Sequence, residues 1–122
     1  MKIRIRGNSI RYRLTMSEVE SFSRTGYYEE STNFGTGLFR YALKAVPGTP
    51  HLGASFENDV ITLTMSLSDA RTWATDARVG FDHQLSLPGG ESLVLLVEKD
   101  FACLDETGED QSDNYPNPKA QD

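Results

Sequence analysis

Hydrophobic and polar residues alternate on both sides of Gly7-Asn8. These two residues readily adopt the positive φ angles of a two-residue turn, so the alternation predicts a hairpin over residues 1–14. The turn also sets the register, which places apolar residues opposite apolar ones and cations opposite cations. The predicted pairs are Ile5 with Ile10, Ile3 with Tyr12, Met1 with Leu14, Arg4 with Arg11, and Lys2 with Arg13.

The alternation then gives way to a helical pattern. Thr15 is a suitable N-cap and Glu18 follows it three residues later, which predicts a capping box. Val19 and Phe22 give this first helix an apolar stripe. Gly26 can take the left-handed conformation that closes a helix, so we expect the helix to end there.

Hairpins and a helix of the same kind are predicted for the rest of the chain. Strands are predicted over 27–32 and 38–46, and a second hairpin starts near Leu52 and turns at Asn58-Asp59. A short helix is predicted from Leu67 to Asp76, capped by Ser66, and a strand over 79–87 follows it. The unbroken apolar run at 93–97 predicts a central strand covered on both faces.

A shift of 51 residues superimposes the two halves of this pattern. It aligns Gly7 with Asn58, Thr15 with Ser66, Glu18 with Asp69, Val19 with Ala70, and Phe22 with Trp73. The chain is therefore predicted to be an α+β protein of two ββαββ units, 1–46 and 52–99. The alternative is that this order of hairpin, helix and hairpin recurs by chance. About eight strands and two helices would form a largely antiparallel curved sheet or a partly closed barrel, with the helices on the apolar face.

Composition adds a division between body and tail. The chain has 122 residues, 38% hydrophobic and 25% charged, enough for one core without disulfide support. Its net charge of -6 is unevenly distributed, with five cations and no acid in residues 1–13, and seven acids against one lysine in residues 100–122. We expect one α+β domain over 1–99 and an acidic C-terminal tail over 100–122.

Cysteine content and hydropathy indicate the compartment. Cys103 is the only cysteine, so no intramolecular disulfide can form, and no apolar run approaches the roughly 20 residues that span a bilayer. The N-terminal residues do not have the layout of a signal peptide. These features predict a cytoplasmic protein that does not contact a membrane.

The basic face of the first hairpin is the best candidate site. Directly opposed like charges cost up to about 1 kcal/mol per pair, so they call for an anion nearby. Forked guanidinium groups suit a phosphate or a carboxylate. Two other interpretations are that acids of the same chain, Glu29, Glu30 or the tail, neutralise this face, or that its arginines are simply solvated. The candidate ligand-binding residues are Arg4, Arg6, Arg11, Arg13, Arg40 and Lys44.

Other classes of site are disfavoured. A pI of about 4.8 argues against a nucleic-acid partner. The acids of 105–113 do not have EF-hand spacing, and no paired spacing joins Cys103 to His51 or His83, so neither a metal, a cofactor nor a Cys-His nucleophile is predicted. A homodimer built through the edge of the first hairpin remains open.

Several segments resemble a family of small bacterial proteins of unassigned function. They are residues 1–11, Glu98-Lys99-Asp100-Phe101 ahead of Cys103-Leu104, Glu109-Asp110 and Asn117-Pro118. This resemblance implies a cytosolic bacterial origin and no particular activity.

A fainter likeness is to the triphosphate tunnel enzymes, which would imply a closed eight-stranded barrel with the candidate cations inside as phosphate ligands. That family's first strand alternates glutamates ahead of a lysine, whereas this chain has Lys2, Arg4 and Arg6 there. The leading prediction is thus a non-enzymatic module whose basic face takes an anionic small molecule or an acidic protein segment, its own tail included. The alternative is a phosphate-ester or polyphosphate hydrolase acting in a basic cavity.

Overall fold

A computed structural model describes residues 1–102 and 110–117 of the chain. Two helices and eight strands form its body. They are β1 (Lys2–Ile5), β2 (Ser9–Leu14), α1 (Met16–Thr25), β3 (Tyr27–Asn33), β4 (Leu38–Val46), β5 (Gly53–Glu57), β6 (Val60–Ser66), α2 (Leu67–Trp73), β7 (Gly80–Ser86) and β8 (Ser92–Lys99).

The eight strands form two four-stranded sheets. One has the order β1-β2-β8-β7 and the other the order β3-β4-β6-β5. The outer pairs are antiparallel hairpins, but the central pairs, β2 with β8 and β4 with β6, are parallel. The α+β class, the strand number and the helix number are confirmed. The sheets are mixed and separate, because each consists of two hairpins joined through a parallel central pair, and they do not close into a barrel.

The hairpins follow their turn chemistry. Asn58 and Asp59 have φ values of 52° and 63°, so both residues of the second turn are left-handed. In the first turn Gly7 has a φ of 54°, but Asn8 does not take the positive φ that was expected of it. The register of the first hairpin is as predicted, with Arg4 opposite Arg11. Phe56 opposite Ile61 is likewise found in the second hairpin.

The first helix also begins and ends where its caps require. The Thr15 amide donates to Oε1 of Glu18 at 2.8 Å within a capping box, and Gly26 closes α1 with a φ of 77°. Val19 and Phe22 are both fully buried. Local sequence therefore determines this helix.

The second helix differs from its prediction at both ends. Ser66 makes no side-chain cap, because its hydroxyl bonds Oγ of Ser68 at 2.9 Å instead. The helix ends at Trp73 and not at Asp76. The amides of Thr75 and Asp76 both donate to the Thr72 carbonyl at 3.0 Å, which closes the last turn early.

The two halves of the chain occupy equivalent positions in the two sheets. When β1-β2 is matched to β5-β6 and β3-β4 to β7-β8, the strand order of one sheet becomes that of the other. Ile10 pairs with Leu95 and Ile61 with Tyr41, so the shift is 51 for the first hairpins (61 minus 10) and 54 for the second (95 minus 41). Phe22 and Trp73, which the shift of 51 makes equivalent, are both fully buried, as that prediction requires.

The core lies between the inner faces of the two sheets and the two helices. Tyr12, Leu43, Leu63 and Leu95 contribute to it and are fully buried. The prediction that the run at 93–97 is covered on both faces was wrong. β8 is central in its sheet, but its outward residues, such as Leu96, stay partly exposed because no helix covers the outer face.

The segment 110–117 packs back onto this body. Phe101 and Tyr115 form a parallel bridge, and the Met16 amide at the start of α1 donates to the Asp113 carbonyl at 2.9 Å. Cys103 and the acids at 105, 106, 109 and 122 lie outside the described residues. The division into a domain and a tail stays a prediction. None of the described helices is long and apolar enough to cross a membrane.

Candidate anion-binding face

The outer face of β1 and β2 gathers the cations of the first hairpin. Alternation turns its isoleucines inward, so the opposed pair Arg4 and Arg11 points away from the core. Together with Arg6 they line a groove of about 170 Å³, completed by Ser9 and by Leu96. An adjoining groove of about 150 Å³ is lined by Lys2, Ile3, Arg4, Arg11 and Arg13.

Two acids from the neighbouring strand and its end neutralise part of this charge. The Nε of Arg11 forms an ion pair with Glu98, and this hydrogen bond raises the pKa of Arg11. Lys2 Nζ lies 3.2 Å from Oδ2 of the buried Asp100. Sequence reasoning considered Glu29, Glu30 and the tail. It missed Glu98 because the parallel pairing of β2 with β8 leaves no local signal.

The remaining cations of the hairpin are less well compensated. Within residues 1–102 and 110–117, Arg4, Arg6 and Arg13 form no ion pair. Asp82 on β7 is the other described acid on this face, in register with Leu96. Among residues 1–102 and 110–117, the carboxylates of Asp82, Glu98 and Asp100 share this outer face with the five cations of the hairpin.

Arg40 and Lys44 do not join the groove. Both lie on β4 of the other sheet, where Arg40 pairs with Ser31 and Lys44 with Tyr27. Both are exposed. The six candidates therefore fall into two groups, four on the hairpin and two on the opposite sheet.

Glu30 is used elsewhere, in a partly buried polar network. The ammonium group of Met1 pairs with Glu18 and lies 3.2 Å from Oε1 of Glu30, and the Tyr28 hydroxyl donates to Glu18 at 3.2 Å. Burial raises the pKa of Glu18, but the hydrogen bonds from the ammonium and from the Thr15 amide outweigh it, so the pKa falls below its ordinary value. The network ties β1 and α1 to β3.

The two histidines meet at the opposite edge of the body. The rings of His51 and His83 are stacked with centroids 4.5 Å apart and an interplanar angle of 1°. Cys103 lies outside the described residues, so its relation to them stays untested. In the part of the chain that the structure describes, no three His, Cys, Asp or Glu residues gather in a metal-holding arrangement.

The space between the sheets has a different chemistry from the outer face. At the end where the hairpins turn, it opens as a cleft of about 430 Å³. Its lining residues are Ile5, Ile10, Phe39, Ala54, Ser55, Phe56, Ile61 and Leu93. No cation of the hairpin points into this cleft, because strand alternation places them all on the outer side.

The model of a family of unknown function, DUF7009, matches residues 1–119. The chain belongs to the DUF7009 family. The match covers both ββαββ halves and the segment 110–117, so the basic outer face lies within the region that defines DUF7009. No curated protein and no solved structure matches the chain. The predicted membership in a family of unassigned function is confirmed, and the likeness to the triphosphate tunnel enzymes gains no support from these comparisons.

Proposed function

We propose that the protein is a binding module whose basic outer face takes a phosphate-like or carboxylate oxyanion, carried by a small molecule or by an acidic protein segment. The observation that supports this most is the groove itself. Arg4 and Arg6 converge there with Arg11, and neither of the first two has an ion-pair partner within residues 1–102 and 110–117.

The groove suits a small oxyanion by shape and by donor type. A volume of about 170 Å³ falls below the 300–1,000 Å³ of pockets that enclose drug-sized ligands, so it fits one anionic group and not a whole cofactor. Guanidinium forks bind such a group in a bidentate manner, and the Ser9 hydroxyl adds a further donor.

The hydrolase alternative is not favoured by this geometry. Tunnel hydrolysis needs cations and carboxylates that converge inside a water-poor cavity, where their interactions are strong. Here the cations lie outside, and the cleft between the sheets has an apolar lining. A binding function requires no such enclosure.

The chain's own acids compete for the same face only in part. Asp113 is engaged at the start of α1, where its side chain accepts from the Ser17 amide at 3.2 Å and from the Ser17 hydroxyl at 2.5 Å. The acids at 105, 106 and 109 lie outside the described residues. Our proposal takes an external oxyanion as the occupant.

The location of the protein is part of this proposal. A chain whose only cysteine is Cys103 cannot form an intramolecular disulfide, which suits a reducing compartment. Together with the resemblance to small bacterial proteins, this supports a site of action in the bacterial cytoplasm.

Calorimetric titration of the full chain with inorganic pyrophosphate tests the proposal. Arg4→Gln should weaken binding by about tenfold or more, since a hydrogen bond to a charged group contributes roughly 1.5–3 kcal/mol. Arg24→Gln is the matched control, because Arg24 is an exposed arginine in the last turn of α1, away from the groove.

Higher salt should weaken the wild-type interaction, because exposed charges are screened. The proposal fails if phosphate, pyrophosphate and an acidic peptide all give no heat at low ionic strength. It fails equally if Arg24→Gln weakens binding as much as Arg4→Gln.

A further inference from the structure

The four hairpin turns lie at one end of the body and leave it open. We call the turns at residues 7–8, 34–37, 58–59 and 88–90 the hairpin tips. Because the central strands of each sheet are parallel, the tips that precede them lie at the same edge, and the Val94 amide donates to the Asn8 carbonyl at 3.0 Å. The apolar cleft opens between these tips, so one end of the molecule presents apolar surface to solvent.

Two large apolar side chains of regular strands are exposed at this end. Ile5 at the end of β1 is 55% exposed, and Phe56 near the end of β5 is 66% exposed. Both line the cleft, so the exposed apolar surface is continuous with a concavity of about 430 Å³. Contiguous surface of this kind marks an interaction site more often than scattered single residues do.

Residues of both halves of the chain line the cleft. The shifts of 51 and 54 relate six of its eight lining residues in pairs, namely Ile5 with Phe56, Ile10 with Ile61, and Phe39 with Leu93. The next residue after the first pair breaks the symmetry in charge, because Arg6 corresponds to Glu57. One side of the cleft mouth is therefore basic and the other is acidic.

We infer that this open end docks a second copy of the chain in a twofold dimer, with the β1-β2 tip of each copy against the β5-β6 tip of the other. A twofold interface repeats every contact, so Arg6 of each copy meets Glu57 of its partner and Ile5 meets Phe56, while Arg4 and Arg11 stay in the groove on the outer face. Opposite charges flank an apolar centre in this arrangement, which is the usual anatomy of an interface core and its rim. The cleft is covered when two such ends close on each other.

Charge selects this arrangement over the other twofold pairings. Placing like tips together would set Arg6 against Arg6 and Glu57 against Glu57, which is unfavourable on both sides. Glu91, beside the β7-β8 tip, is another exposed acid that could face Arg6. If Arg6 paired with Glu91, Phe56 would lie opposite an uncharged tip. The pairing of Arg6 with Glu57 brings the two charges together and also the two exposed apolar residues, Ile5 and Phe56.

Sedimentation velocity over a concentration series of the full chain tests the inference. The weight-average mass should rise with concentration from 13.6 kDa toward twice that value. Phe56→Ser should weaken association by about tenfold or more, since it removes a large apolar side chain from the centre of the interface. Val79→Ser is the matched control, because Val79 is 49% exposed just before β7, at the end of the sheet away from the hairpin tips.

A charge swap tests the pairing of the tips. Arg6→Glu and Glu57→Arg should each weaken association, and the double variant should restore it to near the wild-type constant. Thermal melts of the variants confirm folding, which these exposed positions should not affect. A chain that stays monomeric at all concentrations overturns the inference, as does equal weakening by Val79→Ser and Phe56→Ser. Restoration of Arg6→Glu by Glu91→Arg, and not by Glu57→Arg, overturns the proposed pairing.

Discussion

Replacing Phe22 by alanine tests the packing that joins α1 to the sheets. Phe22 is fully buried in the core, and it is the pseudo-equivalent of Trp73 on α2. Removing its ring loses the transfer free energy of the apolar atoms and leaves a cavity that the surrounding strands can fill only in part. Such Phe→Ala changes cost about 3–5 kcal/mol. For a protein of this size that is a large share of a total stability of about 5–15 kcal/mol.

Urea unfolding followed by tryptophan fluorescence measures this loss, with Trp73 as the single reporter. With a denaturant slope of about 2 kcal/mol/M, the midpoint should fall by about 2 M. Phe34→Ala is the matched control, because Phe34 is 67% exposed and should shift the unfolding free energy by less than about 0.5 kcal/mol. A Phe22→Ala protein within about 1 kcal/mol of wild type would refute the packing described for the helices.

Three further changes probe other contacts. Glu18 has a lowered pKa, so its carboxylate contributes stability above pH 4.5 that is lost as pH falls through its folded pKa. Glu18→Gln should therefore make the free energy of unfolding depend less on pH in the acidic range. Unfolding measured from pH 3 to 7 checks this. Asp113→Ala should lower the free energy of unfolding by about 1 kcal/mol and speed proteolysis of the C-terminal segment, because the Asp113 side chain bonds Ser17 at the start of α1. The exposed Asp110 does not bond α1, so Asp110→Ala should have neither effect. Gly80→Ala should lower the melting temperature by several degrees, since a Cβ there would lie 2.4 Å from a backbone carbonyl oxygen of β8. Gly37→Ala, with nothing within 4 Å, should leave the melting temperature nearly unchanged.

Local features of the fold were predictable because each rests on a few neighbouring residues. Gly7 and the Asn58-Asp59 pair set the turns and with them the register of both hairpins. Thr15, Glu18 and Gly26 set the limits of α1. Each of these elements depends on a backbone conformation that only certain residue types adopt, so the pattern of residue types was sufficient.

Pairings between distant strands were not predictable in the same way. The parallel pairs join different hairpins, β2 with β8 across 85 residues and β4 with β6 across 20, and nothing in one strand specifies its partner. For that reason a curved sheet or a partial barrel was expected where two mixed sheets are found. Helix α2 also ended earlier than expected, because backbone bonds to the Thr72 carbonyl close it before Asp76.

The candidate site was predictable only on the hairpin that carries it. The opposition of Arg4 and Arg11 followed from the turn, and the structure places both on one groove. The contribution of Glu98 depended on the long-range pairing of β2 with β8. The separation of Arg40 from the groove followed from the division into two sheets, which the sequence did not indicate.

The most direct test of the central claim is to map the oxyanion on the folded chain by NMR. Addition of inorganic pyrophosphate should shift the guanidinium signals of Arg4, Arg6 and Arg11 and the amide of Ser9, and should leave Arg40 and Lys44 on the other sheet unchanged. Shifts that cluster on Arg40 and Lys44, or no shift at any arginine at low ionic strength, would contradict the assignment of the outer face as the binding site.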